Sequence, residues 1–367
     1  MGVQKLKPEE NNNRNKLKIE KPCVYDKIMK FDEKIARGES IAIVQFQYNY
    51  QCNLACKHCS VKRFQGKNNA RQFTISDVKD LFRQADEMGL ARVTITGGEP
   101  LVFKDFDELV AAIDPKKFYI NCDTNGWFFD EKKARHLKNI GVDRIQPSID
   151  SLDAEAHDSF RGAKGSHERA MKAVDIALET GLDIFVQTVV TKQRLYTKEF
   201  IEYIEYFNKK GVAVFVTYAK PVGSWEGNFD VLVDKDDMEH MENLEKKYNV
   251  FTHLTDGYGL SMGCVAVKGM FSVTQYGDVL PCPYIHTSIG NFFEEPLKNI
   301  VQKGLDIKYF GERVDTCLIA EDRDFIQNVV ARNIYGKPLP VPANEVFTGI
   351  DKTQKPFNKD ERLFPLK

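Results

Sequence analysis

Strand-like and helix-like stretches alternate through the middle of the chain, and this alternation constrains the fold more than any other feature. The strand-like stretches are short and rich in β-branched and aromatic residues, whereas those between them carry apolar residues at helical intervals. Strands are predicted at 41–47, 92–96, 118–123, 142–149, 183–190 and 212–218, and helices at 75–89, 105–113, 130–140, 166–180 and 197–210. Near-continuous apolar strands between amphipathic helices predict six βα units and a parallel sheet covered by helices on one side.

Three cysteines, Cys52, Cys56 and Cys59, follow the first predicted strand with the spacing C-x3-C-x2-C. On a loop this tight, each thiolate can reach a different iron of one cubane, and no fourth cysteine is nearby. A [4Fe-4S] cluster normally takes four cysteines, so one iron stays open for an exogenous ligand. The alternative is a tetrahedral zinc site with His58 as the fourth ligand, for which this spacing is unusual.

The second predicted strand ends in the turn Gly97-Gly98-Glu99-Pro100. Two glycines let the backbone turn sharply and approach a ligand closely, and the carboxylate after them can accept hydrogen bonds from an amine. The ordered pair of motifs resembles the radical S-adenosylmethionine (SAM) superfamily. This resemblance implies a partial (β/α)6 TIM-like barrel, in which the amine and carboxylate of SAM chelate the open iron and the glycine turn binds the amine. His58 is then assigned to packing.

In barrels of this kind, chemistry lies at the carboxyl ends of the strands. The resemblance implies that Ser148 and Arg161 contact the ribose and carboxylate of SAM. For Asn125, Asp150 and Gln187, which lie at the same edge, a SAM contact and a turn or capping role are equal alternatives. The predicted SAM-binding set is Gly97, Gly98, Glu99, Asn125, Ser148, Asp150, Arg161 and Gln187.

A second set of cysteines, Cys264, Cys282 and Cys317, lies beyond the alternating region. The sequence MFSVTQYGDVLPC, which ends at the second of them, has the alternation and the central turn of a β-hairpin. The pattern C-x12-G-x4-C looks like the start of the auxiliary-cluster domains called SPASM and, in shortened form, twitch. Three cysteines predict one auxiliary [4Fe-4S] cluster, whose fourth ligand is Asp315, His286, another side chain or an open position.

Composition excludes several classes of protein. The hydrophobic content of 42% and the charged content of 29% are ordinary for a globular protein, and no apolar stretch approaches the roughly eighteen residues of a membrane span. With 52 basic and 53 acidic side chains, no overall field attracts nucleic acid or a membrane. The first residues lack the apolar core of a signal peptide. We therefore expect a cytoplasmic protein whose eight cysteines bind metal or are buried.

Four parts are expected along the chain. They are a disordered lead-in at 1–24, the radical SAM barrel at 25–220, a linker and twitch-like auxiliary domain at 221–320, and a C-terminal tail of unknown role at 321–367. The lead-in is rich in Lys, Asn and Glu and has few large apolar side chains to offset the entropy of ordering. One amphipathic helix is predicted over 25–37, before the first strand.

The expected function is that of an enzyme, a radical SAM oxidoreductase or maturase. Once reduced by a flavodoxin or ferredoxin, the first cluster is expected to cleave SAM to methionine and a 5′-deoxyadenosyl radical, which abstracts hydrogen from an unactivated C–H bond. A small-molecule substrate is expected, since the lead-in is too short for the leader-binding domain that peptide-modifying relatives often carry. The alternatives are a maturase that crosslinks or oxidises a ribosomal peptide or protein, and, from another class, a non-catalytic zinc or redox-sensing protein.

Overall fold

The protein's structure is a computed structural model, which describes residues 15–64, 70–255 and 263–357. A sheet of ten strands organises these residues, in the order β11-β9-β8-β1-β2-β3-β4-β5-β6-β7. The strands are β1 (Ile43–Asn49), β2 (Arg92–Gly97), β3 (Tyr119–Thr124), β4 (Arg144–Pro147), β5 (Asp183–Val190), β6 (Ala213–Tyr218), β7 (Val250–Thr252), β8 (Met270–Thr274), β9 (Asp278–Leu280) and β11 (Gly290–Asn291). A separate pair is formed by β10 (Thr287–Ser288) and β12 (Val341–Pro342).

Strands β1 to β6 are neighbours in chain order, and each pairs with the next in parallel. This is the arrangement that helical crossovers between successive strands produce, and it confirms the predicted parallel (β/α)6 core. The helices are Pro22–Met29, Phe31–Ala36, Ile75–Glu87, Phe106–Ile113, Glu131–Ile140, Ala154–Arg161, Ser166–Thr180, Lys192–Leu195, Lys198–Lys209, Lys235–Lys247, Leu297–Leu305, Lys308–Gly311 and Ala343–Val346. Within the described ranges, none of them combines the length and the apolar character needed to cross a bilayer.

The helix Ile75–Glu87 shows how local sequence and packing agree. Thr74 caps its first turn by accepting a hydrogen bond from the backbone N–H of Asp77, whose carboxylate accepts in return from the N–H of Thr74. The residues that recur at helical intervals, Val78, Leu81, Phe82 and Ala85, are all buried in the main hydrophobic core. The helix therefore covers the sheet with one apolar face and leaves its charged face to water.

Side chains alternate along β3, and this alternation explains how the barrel interior becomes polar. Ile120 and Cys122 point to the buried apolar layer, whereas Asn121 and Asp123 line the central cavity. The neighbouring strands contribute further polar side chains to the same cavity: Gln45, Gln47, Thr94, Thr96, Gln146, Gln187 and Thr217. The barrel thus has an apolar outer layer beneath its helices and a polar inner wall.

The alternation of strand and helix continues one unit beyond the predicted six. After the helix Lys235–Lys247, the short strand β7 pairs in parallel with β6. The predicted alternation ended at Tyr218, because a strand of three residues is too short to show a period.

The predicted hairpin is formed by β8 and β9, which pair antiparallel. Its position differs from that of a separate domain, since β8 also pairs in parallel with β1 and extends the barrel sheet. The hydroxyl of Ser272 donates to the carbonyl of Gln45 across this junction at 3.0 Å. Pairing here satisfies the edge of β1 that the barrel alone would leave open.

The lead-in differs from the expectation of disorder over 1–24. Residues 15–20 are helical and Pro22–Met29 is a second helix, while residues 1–14 lie outside the described part of the chain. Lys16 pairs with Asp183 at 2.9 Å, and Lys21 pairs with Asp143. The predicted single helix over 25–37 is divided at Lys30 into Pro22–Met29 and Phe31–Ala36.

The C-terminal tail, as far as residue 357, packs against the rest of the molecule. A π-helix, Phe325–Ala331, buries three of its apolar side chains in the main core. The hydroxyl of Tyr335 donates to the carbonyl of Pro221 in the linker at 2.6 Å. The tail therefore stabilises the segment that follows β6.

Candidate active site

One large cavity, of about 2450 Å³, opens at the carboxyl ends of the barrel strands and continues into the barrel. Both cysteine sets line it. So do seven of the eight residues predicted to bind SAM: Gly97, Gly98, Glu99, Asn125, Ser148, Arg161 and Gln187. Asp150 is the eighth, and it lies behind the wall. Residues that are far apart in sequence thus meet at one site, as the rule for barrel strand ends predicts.

The GGEP turn touches the backbone of the cysteine loop directly. The N–H of Gly98 donates to the carbonyl of Asn49 at 2.9 Å, and that of Glu99 donates to the carbonyl of Gln51 at 2.8 Å. A Cβ atom on Gly98 would lie 1.9 Å from the carbonyl oxygen of Gln51, and one on Gly97 would lie 2.3 Å from that of Asn49. The two glycines are therefore required for the close approach of the two motifs.

Two more glycines approach the loop from its other side. A Cβ atom on Gly162 would lie 2.6 Å from the carbonyl oxygen of Ala55, and one on Gly223 would lie 2.3 Å from that of Cys59. Both have positive φ angles, which glycine adopts without strain. The cysteine loop is thus held on several sides by backbone that only glycine can supply.

Glu99 is buried, with 1% of its surface exposed, and three protein donors bind its carboxylate. One oxygen accepts from the hydroxyl of Thr124 at 2.7 Å and the N–H of Leu101 at 3.1 Å, and the other accepts from the N–H of Asn125 at 2.7 Å. Burial raises the pKa of Glu99 to about 7, although these hydrogen bonds oppose the rise. Glu99 therefore joins the GGEP turn to the end of β3, and its predicted contact with an amine stays a prediction.

Asn125 connects the end of β3 to the cysteine loop. Its side-chain amide donates to the Asn53 side chain at 2.9 Å, and its side-chain oxygen accepts from the N–H of Trp127 at 2.9 Å. The second bond is the turn contact that the sequence analysis weighed against a SAM contact. The side chain makes this turn while it also lines the cavity.

Arg161 and Asp150 form a buried ion pair beside the cysteine loop. Both Nε and Nη2 of Arg161 bind one carboxylate oxygen of Asp150 at 2.6 Å, and Nη1 lies 3.9 Å from the sulfur of Cys56. Burial alone would raise the pKa of Asp150, but the charge of Arg161 and the N–H of Val189 outweigh it and lower the pKa to about 2. Asp150 does not line the cavity, and the ion pair orients Arg161, so a contact of Asp150 with SAM stays a prediction.

Ser148 and Gln187 face each other across β4 and β5, where their backbones form an isolated bridge. The side-chain oxygen of Gln187 accepts from the amide of Gln146, and both residues of the bridge line the cavity. These positions are strand neighbours and not caps or turns. Their side chains are available to a ligand in the cavity.

The second cysteine set comes from three separate segments. Cys264 and Cys317 are 6% and 2% exposed, and Cys282 is half-buried. Burial raises the pKa of Cys282 to about 12 and of Cys317 to about 11, and negative charge on Cys264 adds to both shifts. The three thiols are thus close enough for a charge on one to affect the pKa of another. Gly263 positions the first of them, since a Cβ there would lie 2.1 Å from the carbonyl oxygen of Val314.

Comparison with known proteins decides the family. The model of the radical SAM superfamily matches residues 47–204, and the model of the SPASM iron–sulfur cluster-binding domain matches residues 264–319. The chain therefore carries a radical SAM domain followed by a SPASM domain. A radical SAM domain implies SAM and a [4Fe-4S] cluster, and a SPASM domain implies an auxiliary iron–sulfur cluster, as predicted. The alternative of a non-catalytic zinc or redox-sensing protein is therefore wrong.

Two similar proteins with known names illustrate the range of this radical SAM family. The AdoMet-dependent heme synthase of Nitratidesulfovibrio vulgaris is 25% identical over 298 residues, which are 73% of this chain and 80% of that protein. The mycofactocin maturase MftC of Mycolicibacterium smegmatis is 31% identical over 193 residues, or 52% of this chain and 48% of that protein.

Among solved structures, Streptococcus suis SuiB bound to its precursor peptide SuiA superposes with a TM-score of 0.58 and 19% identity. The superposition covers 82% of this chain and 71% of that one. At this level of identity the likeness shows the radical SAM fold alone.

The donor set of the first loop fits the cluster that a radical SAM domain implies. Three thiol side chains on one short loop line a single cavity, and the N–H of Leu54 approaches the sulfur of Cys52 at 3.4 Å. In the described ranges, no group of three His, Cys, Asp or Glu side chains converges on one point for a single metal ion. A cubane does not require such convergence, because its irons are bound one by one.

His58 packs, as expected. Its ring stacks on Phe160 with 4.4 Å between centroids, and the ring of Trp225 lies 5.8 Å away. Burial, and then the charge of Arg161, lower its pKa to about 4, so the ring is neutral near pH 7.

The structure separates the two named candidates for the fourth auxiliary ligand. His286 is buried, its ring centroid lies 4.9 Å from that of Phe64 and it does not line the cavity, so its role as a ligand stays a prediction. Asp315 does line the cavity, but its side chain is 76% exposed and pairs with Arg313 at 2.8 Å. Glu321 also lines the cavity, and its carboxylate accepts from the N–H of Cys317 at 3.1 Å.

Three polar residues of the cavity wall were not among the predicted site residues, namely Asp123, Lys220 and Tyr284. Asp123 accepts from the amide of Asn121 at 3.0 Å, and burial raises its pKa to about 7. Lys220 follows the end of β6, and this position at a strand end is the signal that could have identified it. Tyr284 follows the second auxiliary cysteine by two residues and had no signal of its own.

Proposed function

We propose that this enzyme uses SAM to abstract hydrogen from an unactivated C–H bond of a small molecule. The observation that carries the proposal is that both cysteine sets open on the same cavity. A substrate bound between them lies within reach of both sites. The polar inner wall of the barrel supplies groups that bind and orient it.

Cys52, Cys56 and Cys59 would hold the first cluster, and SAM would complete its coordination. A cluster held there would supply the electron for the reductive cleavage of SAM to methionine and a 5′-deoxyadenosyl radical, and this radical would take hydrogen from the substrate. The chain's own contribution is orientation and exclusion of water.

Several protein groups would orient SAM at this site. Gly97 and Gly98 bring backbone against the cysteine loop, and Arg161, held by Asp150, places a positive charge beside Cys56. A guanidinium in this position suits the carboxylate of SAM, which is negative. Ser148, Asn125 and Gln187 line the same cavity and would contact the ribose or the base.

Cys264, Cys282 and Cys317 would hold the auxiliary cluster on the far side of the substrate. Their burial insulates such a cluster from solvent, which suits a group that exchanges electrons with a bound substrate. Glu321 and Asp315, which lie near Cys317 in the sequence, are two of the carboxylates that line the same cavity. A flavodoxin or ferredoxin would supply the electron for the first site.

The preference for a small molecule is supported by the heme synthase, which matches over 80% of its own length. A second candidate is a ribosomal peptide. The likeness to MftC, a maturase, and the fold shared with SuiB, which was solved with a precursor peptide, favour it. The two candidates differ in the substrate and share the chemistry of the site.

Deuterium transfer distinguishes the candidates. The full chain, reconstituted with iron and sulfide under anaerobic conditions, would be incubated with SAM, a reductant and deuterated substrates of both classes. Deuterium in 5′-deoxyadenosine from a small molecule is the expected result, and transfer only from a peptide would favour the second candidate. If no 5′-deoxyadenosine forms with any reductant, although both clusters are assembled, the proposal is wrong.

A further inference from the structure

Lys220 is a buried cation at the carboxyl end of β6, with 6% of its surface exposed. Its ammonium donates to the carbonyl of Tyr218 at 2.7 Å and lies 4.2 Å from the centroid of the Tyr284 ring. In the described part of the chain, no carboxylate pairs with it. A buried ammonium is costly unless an opposite charge compensates it.

The auxiliary cysteines are close to this ammonium, because the Tyr284 ring that it faces is two residues from Cys282. Burial lowers the pKa of Lys220, and negative charge on Cys317 and Cys282 opposes that shift. Lys220 and the two cysteines line the same cavity. A cluster bound by these cysteines would therefore lie close to a buried ammonium that has no carboxylate partner in the described part of the chain.

We propose that Lys220 is the charge partner of the auxiliary iron–sulfur cluster and raises its reduction potential. This inference rests on the proposed function, since it requires a cluster on Cys264, Cys282 and Cys317. Reduction adds one electron to the cluster. A fixed positive charge in a site of low dielectric constant stabilises the reduced form more than the oxidised form.

The surroundings of Lys220 keep its ammonium in place. The Tyr218 carbonyl takes one of its three N–H donors, and the face of the Tyr284 ring attracts the charge from another side. Tyr284 follows Cys282 closely in sequence, so the ring and the auxiliary cysteine belong to the same short segment. Lys220 acts through the cluster and is a positioning residue, not a catalytic residue.

Lys268 offers a matched control in the same part of the molecule. It is as buried as Lys220, with 3% of its surface exposed. Its ammonium donates to the backbone carbonyls of Phe310 and Glu312 at 2.9 Å and 2.6 Å, and it does not line the cavity. Removing it tests the loss of a buried ammonium without the loss of the proposed charge partner.

The test is a redox titration of the auxiliary cluster alone. Replacing Cys52, Cys56 and Cys59 with Ala in the full chain removes the first cluster from the spectrum. In that background, Lys220→Met, Lys220→Arg and Lys268→Met would be reconstituted, and the potential would be followed by electron paramagnetic resonance. Iron content and thermal unfolding show that each variant is folded and holds about four irons.

Lys220→Met is expected to lower the ratio of reduced to oxidised cluster at least tenfold at a fixed potential, a shift of about 59 mV for one electron. Lys220→Arg, which keeps the charge, and Lys268→Met are expected to stay close to the parent. If Lys220→Met loses the cluster while the Arg variant keeps it, the charge role is supported as well. The proposal would be overturned if the reduction potential were unchanged in Lys220→Met, or if Lys268→Met shifted the potential as much as Lys220→Met does. It would also be overturned if a folded Lys220→Arg variant lost the cluster as well.

The result is independent of substrate and of SAM cleavage. A failure of the potential to shift leaves the deuterium-transfer experiment intact and contradicts only the role of Lys220. Absence of any auxiliary iron in the parent would instead contradict the proposed function, together with the inference that depends on it. An effect of Lys220→Met on substrate affinity alone, with no change in potential, would identify the lysine as a substrate contact and also overturn the proposal.

Discussion

The two cysteine sets meet in one cavity but are built in different ways. The first set lies on a single loop, where Cys52 is exposed and backbone contacts from glycine turns hold the loop in place. The second set is assembled from three segments, and two of its thiols are buried. A cluster on an exposed loop has room to bind a cofactor. A cluster on buried cysteines is instead kept away from solvent.

The largest expected effect would break the first site and spare the second. Gly98→Ala places a Cβ atom 1.9 Å from the Gln51 carbonyl oxygen, so the loop must shift. We expect loss of the iron of the first cluster and of SAM cleavage, with the auxiliary iron retained. Iron analysis and the formation of 5′-deoxyadenosine measure both effects.

A reciprocal variant sharpens the same comparison. Gly263→Ala places its Cβ 2.1 Å from the carbonyl oxygen of Val314, beside the first auxiliary cysteine, and is expected to lose auxiliary iron instead. Gly349→Ala is the control, because nothing lies within 4 Å of its added Cβ. If both site variants lost the same iron, the two sites would not be independent.

The sequence was sufficient to predict what is local in this comparison. Cysteine spacing, the GGEP turn and the order of strands are patterns within short stretches, and they gave the cysteine sets, the parallel sheet and most of the cavity wall. A SAM role for Asp150 was not distinguishable from a supporting one, since the direction of a side chain at a strand end depends on what packs around it. Its partner Arg161 covers it from the cavity.

Other features depended on contacts between distant parts of the chain. The helix at 15–20 is fixed by an ion pair of Lys16 with Asp183, which no local pattern reveals. The extension of the barrel by β8 depends on the free edge of β1, and this edge exists only in the folded sheet. Lys220 is a single lysine after a strand, and the sequence does not show that it is buried near the auxiliary cysteines.

A smaller effect is expected when the support behind the first site is removed. Asp150→Asn leaves Arg161 buried without its charge partner, which we expect to lower the free energy of unfolding by about 3–5 kcal/mol. Urea unfolding of the apoprotein near pH 7 measures this. Asp175→Asn, which breaks an exposed ion pair with Lys210, is the control and should cost about 1 kcal/mol or less.

The pH dependence of the same variant has a definite sign. The pKa of Asp150 is lowered to about 2 in the folded protein from its ordinary value of 3.8. Its stabilising contribution is therefore complete above about pH 4 and is lost as the pH falls through about 2. Asp150→Asn should lack this part of the acid-induced loss of stability. An equal loss in both proteins over this range would contradict the assigned ion pair.

The smallest effect tests the contact between the GGEP turn and β3. Glu99→Gln puts an amide nitrogen where an oxygen now accepts from protein donors, and we expect about 1–3 kcal/mol of lost stability together with weaker SAM binding. Glu87→Gln, on an exposed helix face, is the control. Calorimetry on the reconstituted protein and unfolding of the apoprotein separate binding from folding. Unchanged stability and unchanged SAM affinity would remove Glu99 from the site.

We expect the Glu99 carboxyl to change the stability of the apoprotein with pH in the direction opposite to Asp150. Burial raises its pKa to about 7 from 4.5, so its contribution to stability is complete below about pH 4.5 and is lost as the pH rises through 7. In Glu99→Gln, the fall in apoprotein stability over this range should be smaller than in the parent. Asp123, whose pKa is also raised to about 7, continues to contribute to that fall.

The assignment of SAM cleavage to the first cysteine set is tested most directly by measuring SAM cleavage in two matched triple variants. One variant replaces Cys52, Cys56 and Cys59 with Ala, and the other replaces Cys264, Cys282 and Cys317. After anaerobic reconstitution, each should keep the iron of its intact site, and only the second should form 5′-deoxyadenosine from SAM with a strong reductant. Formation of 5′-deoxyadenosine by the first variant, or its loss from a folded second variant that keeps the first cluster, would contradict the assignment of SAM chemistry to Cys52, Cys56 and Cys59 alone.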